Sequence, residues 1–466
     1  MHRIEKKQII GIGCDFQSEN EMNSTRKLAI ENLSGGEKEK IKWMIANMSE
    51  NKAFFFQAQR KSEKEREKLL KYLQNKYIDY RTKWHNQPKE AVQNKNYGDE
   101  LKDKNINPLC FDIEVASVCD LACPFCYRQY VATPDKIMSK ELAFKLIDQA
   151  AELNVPSMKF NWRGEPLLNP VLDTIIEYAK KKGVLETIIN TNATKLDEKM
   201  SKKIIKSGLD LMIYSFDGGN KSTYEKMRPG RFKKNNFEEI YENISNFSKI
   251  RKELGSTFPR TKIQMILTDE TRKVQDEYLK LFRDIVDDVS VKQYTERGGD
   301  LTDLDKNFEK FLKTQKNDLI TKYGKDAALL KDSKNNIYIS GGRLPCEQPF
   351  QRVLTTYDGK VGMCCYDWGA THKVGFLDKL GISNGEKEYK SVKQKSDGKV
   401  KGFQMMDLKL PEKNNEPEKK VQTLKDIWHG KDINNVREAH IKNRADKISI
   451  CKKCPFKETY KWEKIQ

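Results

Sequence analysis

An α/β fold built on a parallel sheet is predicted by this sequence from three observations. From Phe111 onward, short apolar runs alternate with helix-period segments in a repeating strand–helix order, which demands crossover connections and so a parallel sheet. A group of closely spaced cysteines, Cys119, Cys123 and Cys126, follows the first of those runs directly. With 466 residues, the chain also has room for two or three domains and a sizeable core.

The strands are expected at Phe111–Val115, Met158–Trp162, Glu186–Thr191, Leu209–Ser215, Lys262–Thr268 and Val289–Gln293, with helices between them such as Ser139–Leu153 and Pro170–Lys182. Right-handed crossovers put all the strand C-terminal ends on one face, where enzymes of this architecture place their chemistry. Residues 1–105 are charge-rich and lack strand alternation. A long helix is expected there from Lys52 to Tyr80, with Leu69, Leu70, Tyr72 and Leu73 as one stripe. Tyr80, Arg81 and Trp84 should pack against the body, and Gln87–Lys104 reads as a polar linker. No three-strand winged pattern supports a peptide-binding module there, so helical packing is the expected role.

Composition narrows the function classes. There is no uninterrupted apolar stretch near the ~18 residues of a membrane span and no charged-then-apolar leader, so a cytoplasmic protein with no membrane partner is expected. The net charge of +19 would suit an anionic partner. Its lysines, however, are interspersed with acidic and polar residues, as in Lys61–Lys71, the pattern of solvated helix faces, so nucleic acid is not the expected partner. Eight of the ten cysteines fall in two groups, and in a large chain without secretory features clustered cysteines point to metal rather than disulfides.

Cys119, Cys123 and Cys126 supply three thiolates where a cubane [4Fe–4S] cluster ordinarily takes four, leaving one iron open to a small molecule. The stretch Val118-Cys119-Asp120-Leu121-Ala122-Cys123-Pro124-Phe125-Cys126-Tyr127 resembles the signature of radical S-adenosylmethionine enzymes. The resemblance implies a partial (β/α)6 TIM-like barrel over residues 106–300 and cleavage of S-adenosylmethionine to a 5′-deoxyadenosyl radical. It implies a strongly reducing cluster, within the roughly −700 to +450 mV range of such centres, and an electron donor such as flavodoxin or ferredoxin.

Further motifs extend the resemblance. Asn161-Trp162-Arg163-Gly164-Glu165-Pro166 is similar to the family's Gly-Gly-Glu-Pro, with Arg163 replacing the first glycine. It implies that Gly164 allows close backbone approach and that Glu165 meets the amino group of bound methionine. Asn190-Thr191-Asn192-Ala193 and Tyr214-Ser215-Phe216-Asp217-Gly218 resemble the family's third and fourth strand endings, implying cofactor contacts from Asn192, Ser215 and Asp217, the last two on one strand face. Arg228 matches a family arginine that could pair with the methionine carboxylate. Phe125 and Tyr127 flank the third cysteine, and Gln264 with Thr268, then Gln293 with Tyr294, are expected to line the pocket.

Downstream, Cys346, Cys364, Cys365, Cys451 and Cys454 lie in a context that resembles the SPASM or shortened twitch domain, so residues 341–466 are expected to form an auxiliary-cluster domain after a connecting segment at 301–340. Asp358-Gly359 signals a hairpin. Adjacent strand residues face opposite ways, so one of the cysteine pair should ligate. Cys364 is preferred, with Cys346, Cys451 and Cys454 completing one auxiliary [4Fe–4S] site; tetrahedral zinc is the structural alternative. Residues 381–421 read as an insertion, His372 and His429 as ordinary residues, and Cys14 and Cys110 as free thiols. The resemblance implies hydrogen abstraction from a polar small molecule, such as carbohydrate oxidation or epimerisation, with peptide maturation as the alternative. In an epimerase the spare Cys365 would be the candidate hydrogen donor. A noncatalytic iron–sulfur protein is the alternative from another class.

Overall fold

A computed structural model describes residues 33–103, 106–129, 131, 133–293, 328–331, 336–340, 344–384, 416–452, 454 and 463–464. Its centre is a sheet of nine strands whose first six in sequence are successive parallel neighbours: β1 (Cys110–Ile113), β2 (Ser157–Lys159), β3 (Glu186–Thr191), β4 (Leu211–Ser215), β5 (Arg260–Leu267) and β6 (Asp288–Gln293). Among the described residues this sheet stays open, so the architecture is α/β with a partial barrel, as expected.

The helices follow the sequence closely. Ser139 caps α1 (Lys140–Glu152) by accepting from the Leu142 N–H, and α2 (Leu172–Lys181), α3 (Glu198–Ser207) and α4 (Phe237–Glu253) repeat the crossover. They bury Leu146, Ile147, Ile175, Ile176, Ile204 and Phe247 against Met158, Ile189, Met212, Ile263 and Met265. The opposite face of the central strands, carrying Ile188, Asn190, Ile213, Ser215 and Gln264, is only half-buried and is the barrel's interior side.

Beyond the barrel, β7 (Ala328–Lys331) and β8 (Ile337–Ser340) pair antiparallel. Residues 341–466 were expected to form an auxiliary-cluster domain; the first strands described there extend the same sheet. β9 (Arg352–Thr355) lies parallel to β1 on the edge opposite β2, followed by β10 (Lys360–Gly362) and β11 (Lys373–Phe376) in antiparallel order. Asp358 and Gly359 make the β9–β10 turn, Gly359 at φ +86°. The final short strand, β12 (Glu463–Lys464), pairs with β8. Residues 385–415, most of the expected insertion, and Tyr294 and Cys14 lie outside the described residues.

The N-terminal region departs from expectation in three places. Instead of one helix from Lys52, the chain forms α5 (Lys52–Ala58), breaks at Arg60 with φ +66°, and restarts as α6 (Glu63–Gln93) on a Ser62–Glu65 capping box. That helix runs through the expected linker because its Pro88 defect is compensated. Proline lacks the N–H that would reach the Trp84 carbonyl, and the Gln351 amide donates to that carbonyl instead. Tyr72, expected in the apolar stripe, is exposed, whereas Leu73, Tyr77 and Tyr80 are buried.

These helices close the lower end of the barrel. Ile41, Met48, Leu73, Tyr77 and Tyr80 pack with Leu109, Leu185 and Phe258, which sit just before β1, β3 and β5. Polar groups lock the same layer: Tyr77 and Tyr80 donate to Glu186 at the start of β3, and Asn51 donates to Asp210 just before β4 at 2.7 Å. Among the described residues no helix is long and apolar enough to cross a membrane.

Candidate active site

The loop carrying Cys119, Cys123 and Cys126 leaves the C-terminal end of β1 and is clamped on two sides. On one side Leu121 bridges Gly230, the Ala122 N–H donates to the Pro229 carbonyl and the Arg231 N–H to that of Asp120. On the other side Gly164, at φ +70°, passes so close that a Cβ would lie 2.5 Å from the Val118 carbonyl oxygen. The close approach expected of Gly164 is therefore to the protein's own backbone; it seats the cysteine loop on the end of β2.

All three thiols sit around one small apolar cluster of Leu121, Phe125 and Met227. Burial pushes the Cys119 thiol well above its usual range and the Cys123 thiol to about 12, with the nearby Arg228 guanidinium opposing the latter. Arg228 lies 4.0 Å from the Cys123 sulfur through one nitrogen. Its other nitrogens pair with the fully buried Asp217 at 2.7 and 2.5 Å. Asp217 also accepts from the Ile266 N–H, so Arg228 and Asp217, both expected at the cofactor, are paired with each other. Asp217 lies past the end of β4, whereas Ser215 remains in the strand, directly across from Gln264 of β5.

Glu165 is almost fully buried and accepts from the Thr191 hydroxyl, the Asn192 N–H and the Leu167 N–H at 2.7–3.0 Å. Burial, aided by the Asp120 charge, raises its carboxyl to about 7 against those hydrogen bonds. Asn192 donates to Asp120 at 2.9 Å and lies 3.9 Å from the Cys119 sulfur. On the interior face of β3, the side-chain oxygen of Asn190 is buried with no protein partner. A ligand donor in the barrel would satisfy it.

Arg163 does not approach the cysteine loop as a glycine would. It forms a buried pair with Glu114 just after β1 and donates to the Trp368 carbonyl. Trp368 in turn packs on Tyr127 and Trp162, so the loop after β10 forms part of the wall beside the cysteine loop. Sequence reasoning missed Glu114, Trp162 and Trp368, whose roles depend on partners from distant strands.

A second cleft contains Cys346, Cys364, Cys451 and Cys454, together with His440, Gln348 and Met363. Cys365 is absent from that lining; its sulfur faces the Gln348 side-chain oxygen at 3.8 Å, and its carbonyl accepts from the Trp162 indole. The strand argument for separating the pair does not hold, since β10 ends at Gly362 and both cysteines lie in the turn beyond it. Burial and the neighbouring Cys365, Cys451 and Cys454 thiols push the Cys364 thiol well above its ordinary range. Among the described residues no three His, Cys, Asp or Glu side chains converge on one point as a single ion requires. In donor chemistry both thiol groups suit iron–sulfur clusters, whose sulfur ligands are spread around a cube.

Residues 113–282 match the family model described as Radical SAM superfamily. This stretch is a radical SAM domain. The radical SAM family uses S-adenosylmethionine and a [4Fe–4S] cluster, and the matched stretch contains every cysteine and cofactor-motif residue named above from Cys119 to Gln264. The chain is 28% identical over 168 residues to the tungsten-containing aldehyde ferredoxin oxidoreductase cofactor-modifying protein of Pyrococcus furiosus, covering 34% of this chain and 44% of that one. It is 33% identical over 110 residues to the PqqA peptide cyclase of Granulibacter bethesdensis, covering 23% and 29% respectively. The chain thus spans less than half the length of either relative. The solved structure of BtrN in complex with AdoMet and 2-DOIA aligns over 76% of this chain and 97% of that one, at 16% identity and a TM-score of 0.41.

Proposed function

We propose that this chain is a radical S-adenosylmethionine enzyme with one auxiliary [4Fe–4S] cluster on Cys346, Cys364, Cys451 and Cys454, acting on a polar small molecule. The observation that carries the reading is the three-thiol loop on the C-terminal rim of β1, clamped beside the Arg228 guanidinium. With cluster and S-adenosylmethionine bound, the chemistry supplied is one-electron cleavage to methionine and a 5′-deoxyadenosyl radical that takes hydrogen from substrate.

The chain's own residues bind, orient and exclude water. Arg228 favours the thiolate at Cys123, the form that binds iron. Phe125, packed under the Arg228 guanidinium, and Tyr127 keep the loop dry. Glu165, poised near neutrality, gains a negative charge when a cationic amino group approaches. Asn192 holds Asp120 beside Cys119, while Asn190, Ser215 and Gln264 offer polar groups on the interior face of the sheet. Such a lining supports a hydroxylated substrate, as in carbohydrate oxidation or epimerisation, with flavodoxin or ferredoxin as electron donor. Oxidation requires the substrate radical to lose one proton and one electron, and the second thiol cleft provides a place for the acceptor. Epimerisation instead requires a hydrogen atom returned to the opposite face, the role assigned to Cys365.

A second reading, maturation of a ribosomally made peptide, draws support from the PqqA peptide cyclase among the relatives. Anaerobic reconstitution tests the main reading. About eight irons per chain and 5′-deoxyadenosine formation are expected for two cubanes, and sugars and peptides are then compared for stimulated turnover. Iron that survives Cys119→Ala/Cys123→Ala/Cys126→Ala, with no 5′-deoxyadenosine from the unsubstituted protein, would leave a noncatalytic iron–sulfur protein. Cys365→Ala that keeps both clusters and still forms epimerised product would remove the hydrogen-donor role.

A further inference from the structure

We infer that His440 sets the reduction potential of the auxiliary cluster by donating a hydrogen bond to the sulfur of Cys451, an inference that rests on the four-thiolate reading of the second cleft. His440 lies on α7 (Lys431–Ile441), is almost fully buried, and lines the cleft with the four cysteines. Its two ring nitrogens face two different cysteines. The Cys346 backbone N–H donates to Nδ1 at 3.2 Å, and Nε2 lies 3.5 Å from the Cys451 sulfur.

The first contact decides the second. A nitrogen that accepts a hydrogen bond cannot carry a proton, so a neutral His440 ring holds its hydrogen on Nε2, directed at Cys451. A donor aimed at a ligating sulfur stabilises the extra negative charge of the reduced cluster and raises its potential. A higher potential suits a centre that receives an electron from a substrate radical. The same ring also ties the segment bearing Cys346 to the helix bearing Cys451, holding two ligands from distant parts of the chain around one cleft. His440 therefore acts through Cys451, as a positioning residue rather than a ligand.

The test uses the full chain carrying Cys119→Ala/Cys123→Ala/Cys126→Ala, so that only the auxiliary cluster remains. Iron and sulfide are counted first. Absence of iron here overturns the four-thiolate reading itself, and with it the inference. With iron present, a redox titration followed by electron paramagnetic resonance compares His440, His440→Leu and His440→Gln. The leucine variant should lower the reduction equilibrium constant at least tenfold, about 59 mV for one electron. Glutamine, which keeps an N–H donor, should restore most of that shift. An unchanged potential in an iron-loaded leucine variant overturns the proposal. Should leucine cost the iron itself, ¹⁵N-histidine labelling of the chain with His440 intact decides. Weak nitrogen coupling to the reduced cluster supports the hydrogen bond; strong coupling would make His440 a ligand, and no coupling would separate it from the cluster, and either result overturns the proposal.

Discussion

Arg163 and Glu114 meet face to face in the interior, Nε to Oε1 at 2.6 Å and Nη2 to Oε2 at 2.8 Å, with both side chains nearly inaccessible to solvent. The pair joins the ends of β1 and β2, and Glu114 also accepts from the Tyr357 N–H in the β9–β10 turn. Arg163→Gly would restore the small residue that the family motif has at this position, yet it would strand a buried carboxylate. The expected cost is roughly 3–5 kcal/mol, read as a fall in the urea midpoint. Adding Glu114→Gln should recover part of it; a glycine variant as stable as the parent would show that the pair holds nothing together.

Gln351 and Pro88 make a compensated pair. Gln351→Leu leaves the Trp84 carbonyl without its donor, for an expected loss of about 1–3 kcal/mol. Pro88→Ala supplies the missing backbone N–H within α6, so the double variant should lose less than Gln351→Leu alone. Chemical denaturation of the four proteins forms a double-mutant cycle, and simple additivity would contradict the compensation.

Removing the Arg228 charge should hinder iron loading before it affects folding of the strands. Burial already holds the Cys123 thiol at about 12, and Arg228 is the largest influence favouring its thiolate. In Arg228→Gln the thiolate becomes scarcer, so reconstitution at neutral pH should yield fewer irons per chain, and loading should improve as pH rises. A loading curve with the same pH dependence as the parent would refute this role. Asp217 then loses its ion-pair partner too, so circular dichroism should accompany the iron count.

Glu186 gives a pH signature to the lower layer. Burial alone would raise its carboxyl, but Lys40 and Arg81 outweigh it and hold the group at about 2, below the ordinary 4.5. A folded-state pKa below the unfolded one adds stability above about 4.5, which is lost as pH falls from there through about 2. Glu186→Gln should flatten the stability curve in that window and lower stability at pH 7. Melting temperatures from pH 3 to 7 would check both; parallel curves for the two proteins would remove Glu186 from the account.

The sequence made the parallel order, the crossover helices and both cysteine groups legible, because each is encoded locally by period or spacing. The helix from Ser139 announced itself by its period, and Cys119, Cys123 and Cys126 by their intervals. What stayed hidden depends on partners far away in sequence. The stretch from Gln87 read as a linker because the group that carries the helix past Pro88, Gln351, is 263 positions on. Arg163 looked like a damaged glycine motif because the carboxylate that explains it belongs to another strand end. His440 was not singled out, because it stands eleven residues before Cys451, a separation that follows no metal-ligand spacing.

The position of β1 between β2 and β9 has a consequence for how the chain reaches this state. Cys110 pairs across to Ser157 on one side and to Arg352 on the other. During vectorial synthesis the first neighbour emerges early, but the second is delayed by some 242 residues (352 − 110). Throughout that interval the strand leading into the cysteine loop presents an uncovered hydrogen-bonding edge, the kind that invites pairing with another chain. Protecting that edge on the ribosome is therefore a problem of timing, and truncations that end before Arg352 should aggregate more readily than the whole chain.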